Sequence, residues 1–174
     1  MKSLPESIQE VIDRAPEPSL QEGLPNPELT DKLEAFQHPH SLFPEGADID
    51  ADFAKCCLAG LYLKNNQLDP AHTLSQQTEI QEGSFWHGII HRREGDFGNA
   101  KYWFGRIGNH PVLEKLKEEF GDDYPSPADF VDACAQATTS SQPSAEQCLE
   151  IQQTEWELLF QHCYWSAYSA QSPE

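Results

Sequence analysis

Between Ser84 and Pro111, in SFWHGIIHRREGDFGNAKYWFGRIGNHP, groups able to bind metals, move protons or hold anions recur at helical spacing. At about 100° per residue, His87, His91 and Glu94 fall within about 60° of one another on one helix face. Two imidazoles and a carboxylate so placed can share one divalent ion, and that nitrogen and oxygen donor set suits Zn, Fe or Mn. The preceding helical segment puts His72 and Gln76 at i and i+4, and an antiparallel hairpin would bring His72 to the same point. Glu155 and His162 share a face of the C-terminal helix outside its apolar stripe, so either could complete the set. Position 88 is Gly, which removes the general-base glutamate of an H-E-x-x-H motif. A metal-free, buried network of hydrogen-bonded His and Glu produces the same spacing.

A second chemistry is written beside the first. Arg92 and Arg93 follow His91 directly, and Asn99, Tyr102 and Arg106 line one face of the next helix, with Lys101 beside them. Guanidiniums converging near a helix start can grip a carboxylate or phosphate bidentately. Gln76, Arg92, Arg93, Asn99, Lys101 and Arg106 are therefore candidate contacts to a small acidic ligand, with Trp86 and Trp103 as walls. The competing reading spends the arginines on salt bridges to Glu94, Asp96 and other acids, and puts the aromatic rings in the core. Neither a G-x-S-x-G nor a G-x-x-x-x-G-K pattern is present.

Positioning these groups requires helices. Asp50 caps a segment running to about Lys64, apolar nearly all round, and Asp69-Pro70 opens a short helix to Gln77. Ser84 is read as the cap of the next helix and Gly95 as its end; residues 97–107 follow, with Gly108 as terminator. Pro111 and Pro127 open two further helices, and a long one runs from about Ser144 to Tyr168. No period-2 run of β-branched residues occurs, so the fold is expected to be all-α. The expectation is a single-domain irregular bundle of about six to eight helices over residues 50–168. A proline-rich N-terminal arm, residues 1–48, would wrap over it with one short helix near 27–37.

The segment FWHGIIHRREGDFGNAKYWFGRIGNHP, with DPAHTLSQ upstream, resembles a family of small, uncharacterised helical proteins from bacteria and fungi. Its members share W-H-x-I-x-H-R-R-E, then an N-A-K-Y-W-like stretch and a G-x-H-P ending. The resemblance covers roughly residues 56–116 and implies no activity. Asp69, His72, Gln76, His87, His91, Arg92, Arg93, Glu94, Asn99, Lys101, Trp103 and Arg106 match its pattern, whereas Gly105 stands where many members have arginine.

Composition sets outer limits. The 174 residues carry a formal charge of −18, which repels nucleic acid and anionic membrane surfaces and attracts basic partners. No apolar run approaches the roughly 20 residues needed to span a bilayer. Five cysteines, an odd count without a C-x-x-C, read as buried free thiols in a reducing cytoplasm. The expected function is binding or turnover of a small acidic molecule in a His/Glu/Arg pocket, with one divalent metal as the candidate cofactor. The alternative is a non-catalytic interaction module that uses the 84–111 surface, with arginine and tryptophan as anchors.

Overall fold

Helix caps legible in the sequence set many of the element boundaries in the computed structural model, which describes residues 3–36, 38–139 and 144–169. Among these residues there are nine α-helices and no strand: α1 (Glu6–Asp13), α2 (Pro27–Ala35), α3 (Ala51–Lys64), α4 (Leu68–Gln76), α5 (Gln81–Glu94), α6 (Phe97–Gly105), α7 (Pro111–Phe120), α8 (Pro127–Thr139) and α9 (Ser144–Ser169). The side chain of Asp50 accepts from the backbone N–H groups of Asp52 and Phe53 and so starts α3. Asn26 does the same for α2 through Glu28, with Pro27 in the first turn. Gly95, at φ 82°, closes α5 in the left-handed region that favours glycine.

Two boundaries depart from the sequence reading. Ser84 is not a cap: α5 begins a turn earlier at Gln81, and Asp69 lies inside the first turn of α4 instead of ahead of it. Gly83 makes the earlier start possible. A Cβ there would sit 2.2 Å from the Thr78 carbonyl oxygen, so only glycine lets the α4–α5 connection close this tightly.

The N-terminal third is also more helical than expected, which raises the helix count to nine among the described residues. In α1 the apolar pair Ile8 and Val11 is fully buried, and in α2 Leu29 and Leu33 are. Burial of this kind holds short helices that would not persist alone in water. A 3-10 turn at Pro39–Leu42 adds Leu42 to the same core.

Helix α3 is the hub, packing against α4, α5 and α9. Gly60 lets α5 come close, since a Cβ there would lie 2.8 Å from the Trp86 ring. The Gly60 carbonyl accepts from Trp156 Nε1 of α9 at 2.8 Å, so one glycine joins three helices. On the far side α5 pairs with α6, α6 with α8, and α7 and α8 with α9. All five cysteines are free and buried, as the odd count suggested. No described helix is long and apolar enough to cross a membrane.

Candidate metal centre

Helices α4 and α5 form the antiparallel hairpin the sequence called for, and it gathers three imidazoles. His72 from α4 and His87 and His91 from α5 each offer a ring nitrogen, with those atoms all within 4.8 Å of one another. His87 Nε2 faces His72 Nε2 at 2.9 Å. The His87 and His91 rings stack at 4.7 Å, as expected of an i, i+4 pair. His87 and His91 are buried and His72 is half-buried, so the set lies at the edge of the core.

Hydrogen bonds fix which nitrogens hold lone pairs. Asn99 Nδ2 donates to His91 Nε2 at 3.3 Å, which puts that ring's proton on Nδ1. Glu94 Oε2 sits 3.1 Å from this Nδ1, close enough to pair with it but without hydrogen-bond alignment, and Asp96 is 3.9 Å away. Of the facing Nε2 atoms of His72 and His87, one must donate and the other accept. The His87 Nδ1 is buried without a partner. Its lower-energy form therefore leaves Nδ1 bare and donates from Nε2, because a buried N–H without an acceptor costs about 1–3 kcal/mol.

Burial disfavours a charge on His87, the neighbouring His72 and His91 oppose it further, and its pKa falls to about 4. His91 is lowered as well, by burial first, with Glu94 partly restoring it. Both rings are thus neutral at pH 7. The unfolded chain takes up a proton on His87 near 6.5, while the folded chain resists until about 4. Stability from this group is complete above pH 6.5 and is lost as pH falls through that interval. The expected result is a urea midpoint of the metal-free protein that drops between pH 6.5 and 4, with a flatter slope in His87→Gln. An unchanged slope in the variant would show that His87 does not set it.

The other predicted residues divide. Trp103 of α6 stacks on His87 at 4.0 Å and forms one wall of the set. Arg106 lies over the Trp103 ring at 5.4 Å and donates to the Tyr102 hydroxyl, while Lys101 pairs with Asp132 at 2.6 Å. Glu94 stands outside the three-histidine group, against His91. Gln76 is exposed near the end of α4. Trp86 is fully buried in the core and so offers no surface to a ligand or to a partner.

Arg92 and Arg93 are not available to a ligand, because both guanidiniums are buried and spent inside the protein. Arg92 donates to Glu155 Oε2 at 2.5 Å, to Glu155 Oε1 at 3.2 Å and to Gln152 at 3.3 Å. Burial works against its charge, but Glu155 outweighs it and the pKa moves up. Arg93 donates to the carbonyls of Gln21, Glu22 and Leu63 and to Asn66 Oδ1. Its burial, with Arg92 alongside, brings its pKa down to about 10. With Glu155 held by Arg92, and His162 bonded to Glu82 instead, neither residue of α9 joins the three-histidine set.

Sequence reasoning passed over Glu82, which resembled an ordinary solvated acid. Only its fourfold place on α5, one turn from the buried Trp86 stripe, hinted that it faces inward. Comparison of the chain with protein-family models, with curated proteins and with solved structures finds no match.

Proposed function

We propose that the protein binds one divalent metal ion through His72, His87 and His91 and uses it on a small molecule, in metal-assisted hydrolysis or hydration. The observation that carries this reading is the convergence of three imidazoles from two helices, His87 and His91 among them disfavoured as cations by burial, on one point at the core's edge. Zinc–nitrogen bonds of about 2.0–2.1 Å at a tetrahedral ion separate donor atoms by about 3.3 Å. The 2.9 Å between His72 and His87 is near that value, so small ring movements suffice. Three protein ligands leave a position open for water or substrate, the pattern of catalytic rather than structural sites.

The surroundings support the same reading. Glu94 beside His91 Nδ1 resembles the carboxylate that orients a metal-bound imidazole from behind. Glu94 also borders a cleft of about 630 Å³ between residues 20–24 and the end of α5, which none of the three histidines lines. Binding an ion at Nε2 must shift the His87 proton to Nδ1, so uptake by the neutral ring at pH 7 should release little or no proton.

The test is metal content by plasma mass spectrometry on protein purified without a tag or chelator, beside His87→Ala/His91→Ala. Near-stoichiometric metal in the wild type and none in the variant is the expected result. Because that variant opens cavities, His72→Gln, at the half-buried position, serves as the milder partner: it should fold normally and weaken Zn²⁺ binding by 10-fold or more in calorimetry. No metal on isolation and no Zn²⁺ binding by the wild type would reduce the set to a hydrogen-bonded polar network.

A further inference from the structure

Glu82, His110 and His162 form a second polar set, with one ligand atom from each all within 4.8 Å of one another. Its hydrogen bonds argue against a metal there. His110 caps α7 by accepting the Val112 N–H at Nδ1, 3.2 Å away, so the ring's proton sits on Nε2. That Nε2 donates to Glu82 Oε1 at 3.1 Å. An ion on Nε2 would require the proton to move to Nδ1, where the Val112 N–H already points.

His162 Nε2 donates to the same Glu82 oxygen at 2.8 Å. Burial resists ionisation of Glu82, but the bonds from His110 and His162 prevail and hold its pKa at about 2. In the neutral ring the other nitrogen of His162, Nδ1, carries the lone pair. It has no hydrogen-bond partner among the described residues and is not among the buried atoms lacking one, so it is open to solvent. A buried carboxylate behind a ring, with a free lone pair in front, is how proteins prepare an imidazole to accept a proton.

His162 lines a surface cleft of about 250 Å³ between α7 and α9, with Val112, Lys115, Leu158, Trp165 and Ser166. Lys115 makes no ion pair with another described residue, although the chain carries 29 acidic groups. The cleft therefore offers one ammonium, one basic nitrogen and an apolar wall of Val112, Leu158 and the Trp165 ring. The groups facing His162 are Glu82 of α5, His110 at the start of α7, Lys115 of α7 and the Phe53 ring of α3, 6.4 Å away.

We propose that this cleft binds a small carboxylate with an apolar body and takes up one proton at His162 Nδ1 as it does so. The acid is already ionised near pH 7, so the proton comes from water or buffer; the imidazole becomes an imidazolium braced by Glu82, and the carboxylate lies between that cation and Lys115. Val112, Leu158 and Trp165 take up the apolar body. This site uses none of the three histidines of the metal proposal, and each stands without the other.

The experiment is nitrogen-15 imidazole NMR of the full chain near pH 7, titrated with benzoate and, as the uncharged control, benzamide. Saturable binding of benzoate is expected, with the His162 Nδ1 resonance moving from its bare to its protonated position and with benzamide at least 10-fold weaker. His162→Gln should weaken benzoate 10-fold or more, and Lys115→Ala, an exposed position that leaves packing untouched, several-fold. Metal content should be the same in both variants. A His162 Nδ1 signal that stays bare at the highest benzoate concentration, equal binding of benzamide, or wild-type affinity in Lys115→Ala and His162→Gln would overturn the proposal.

Discussion

Replacing Arg92 by alanine should destabilise the protein by about 3–5 kcal/mol, seen as a large fall in the urea midpoint. The guanidinium is 1% exposed and the Glu155 carboxylate 0%, so the variant leaves a charge in the core with no cation beside it. The penalty is mainly that orphaned carboxylate rather than the loss of a strong bond, because both ions already gave up their hydration to come together. A control separates the two contributions. The double variant Arg92→Met/Glu155→Leu removes both charges and fills similar volume, and it should recover most of the lost stability. If the double variant is as unstable as Arg92→Ala, the packing of Arg92 over Phe130, 4.6 Å from the ring, matters more than the charge.

Arg93→Ala should cost about 2–4 kcal/mol, set by hydrogen bonds from a charged donor of about 1.5–3 kcal/mol each that share one group and so do not add. It should also free the irregular chain between α1 and α2. Two of the four acceptors are the Gln21 and Glu22 carbonyls, so the wild-type arginine ties that strap to the end of α5. Limited proteolysis should cut the variant between residues 14 and 26 at protease levels that leave the wild type intact. Arg93→Lys would retain the charge but not the fork that reaches several carbonyls, and it should recover less than half of the loss. Unchanged resistance to protease in Arg93→Ala would show that Leu20 and α2 hold the strap without it.

These arginines also mark where sequence reading stopped. The three histidines were legible because their relation is local: two share a helix face at i, i+4, and the third lies on the helix just before it. Helix starts at Asp50, Pro111 and Pro127 were legible in the same way, since a cap is written within three residues. Arg92 and Arg93 find these partners at Glu155 and Gln152 and at Gln21 and Glu22, 60 or more residues away in sequence. No spacing rule reaches that far, and a backbone carbonyl as acceptor leaves no residue-type signature. Ser84 misled because a good capping residue also tolerates a helix interior. The tight Gly83–Thr78 approach that moved the start is a tertiary fact.

Helix α5 takes Glu82, His87, His91, Arg92 and Arg93 into the interior, where they are completed by other parts of the chain. Glu82 depends on the start of α7 and on α9, His87 on α4, Arg92 on α9 and Arg93 on the N-terminal strap. A hydrophobic helix can collapse early against any greasy surface, whereas this one gains little until its particular partners have arrived. The molecule should therefore fold and unfold as one cooperative unit, with coincident transitions by circular dichroism and tryptophan fluorescence. Chains cut before α9 should be left with a central helix whose charges keep it in water.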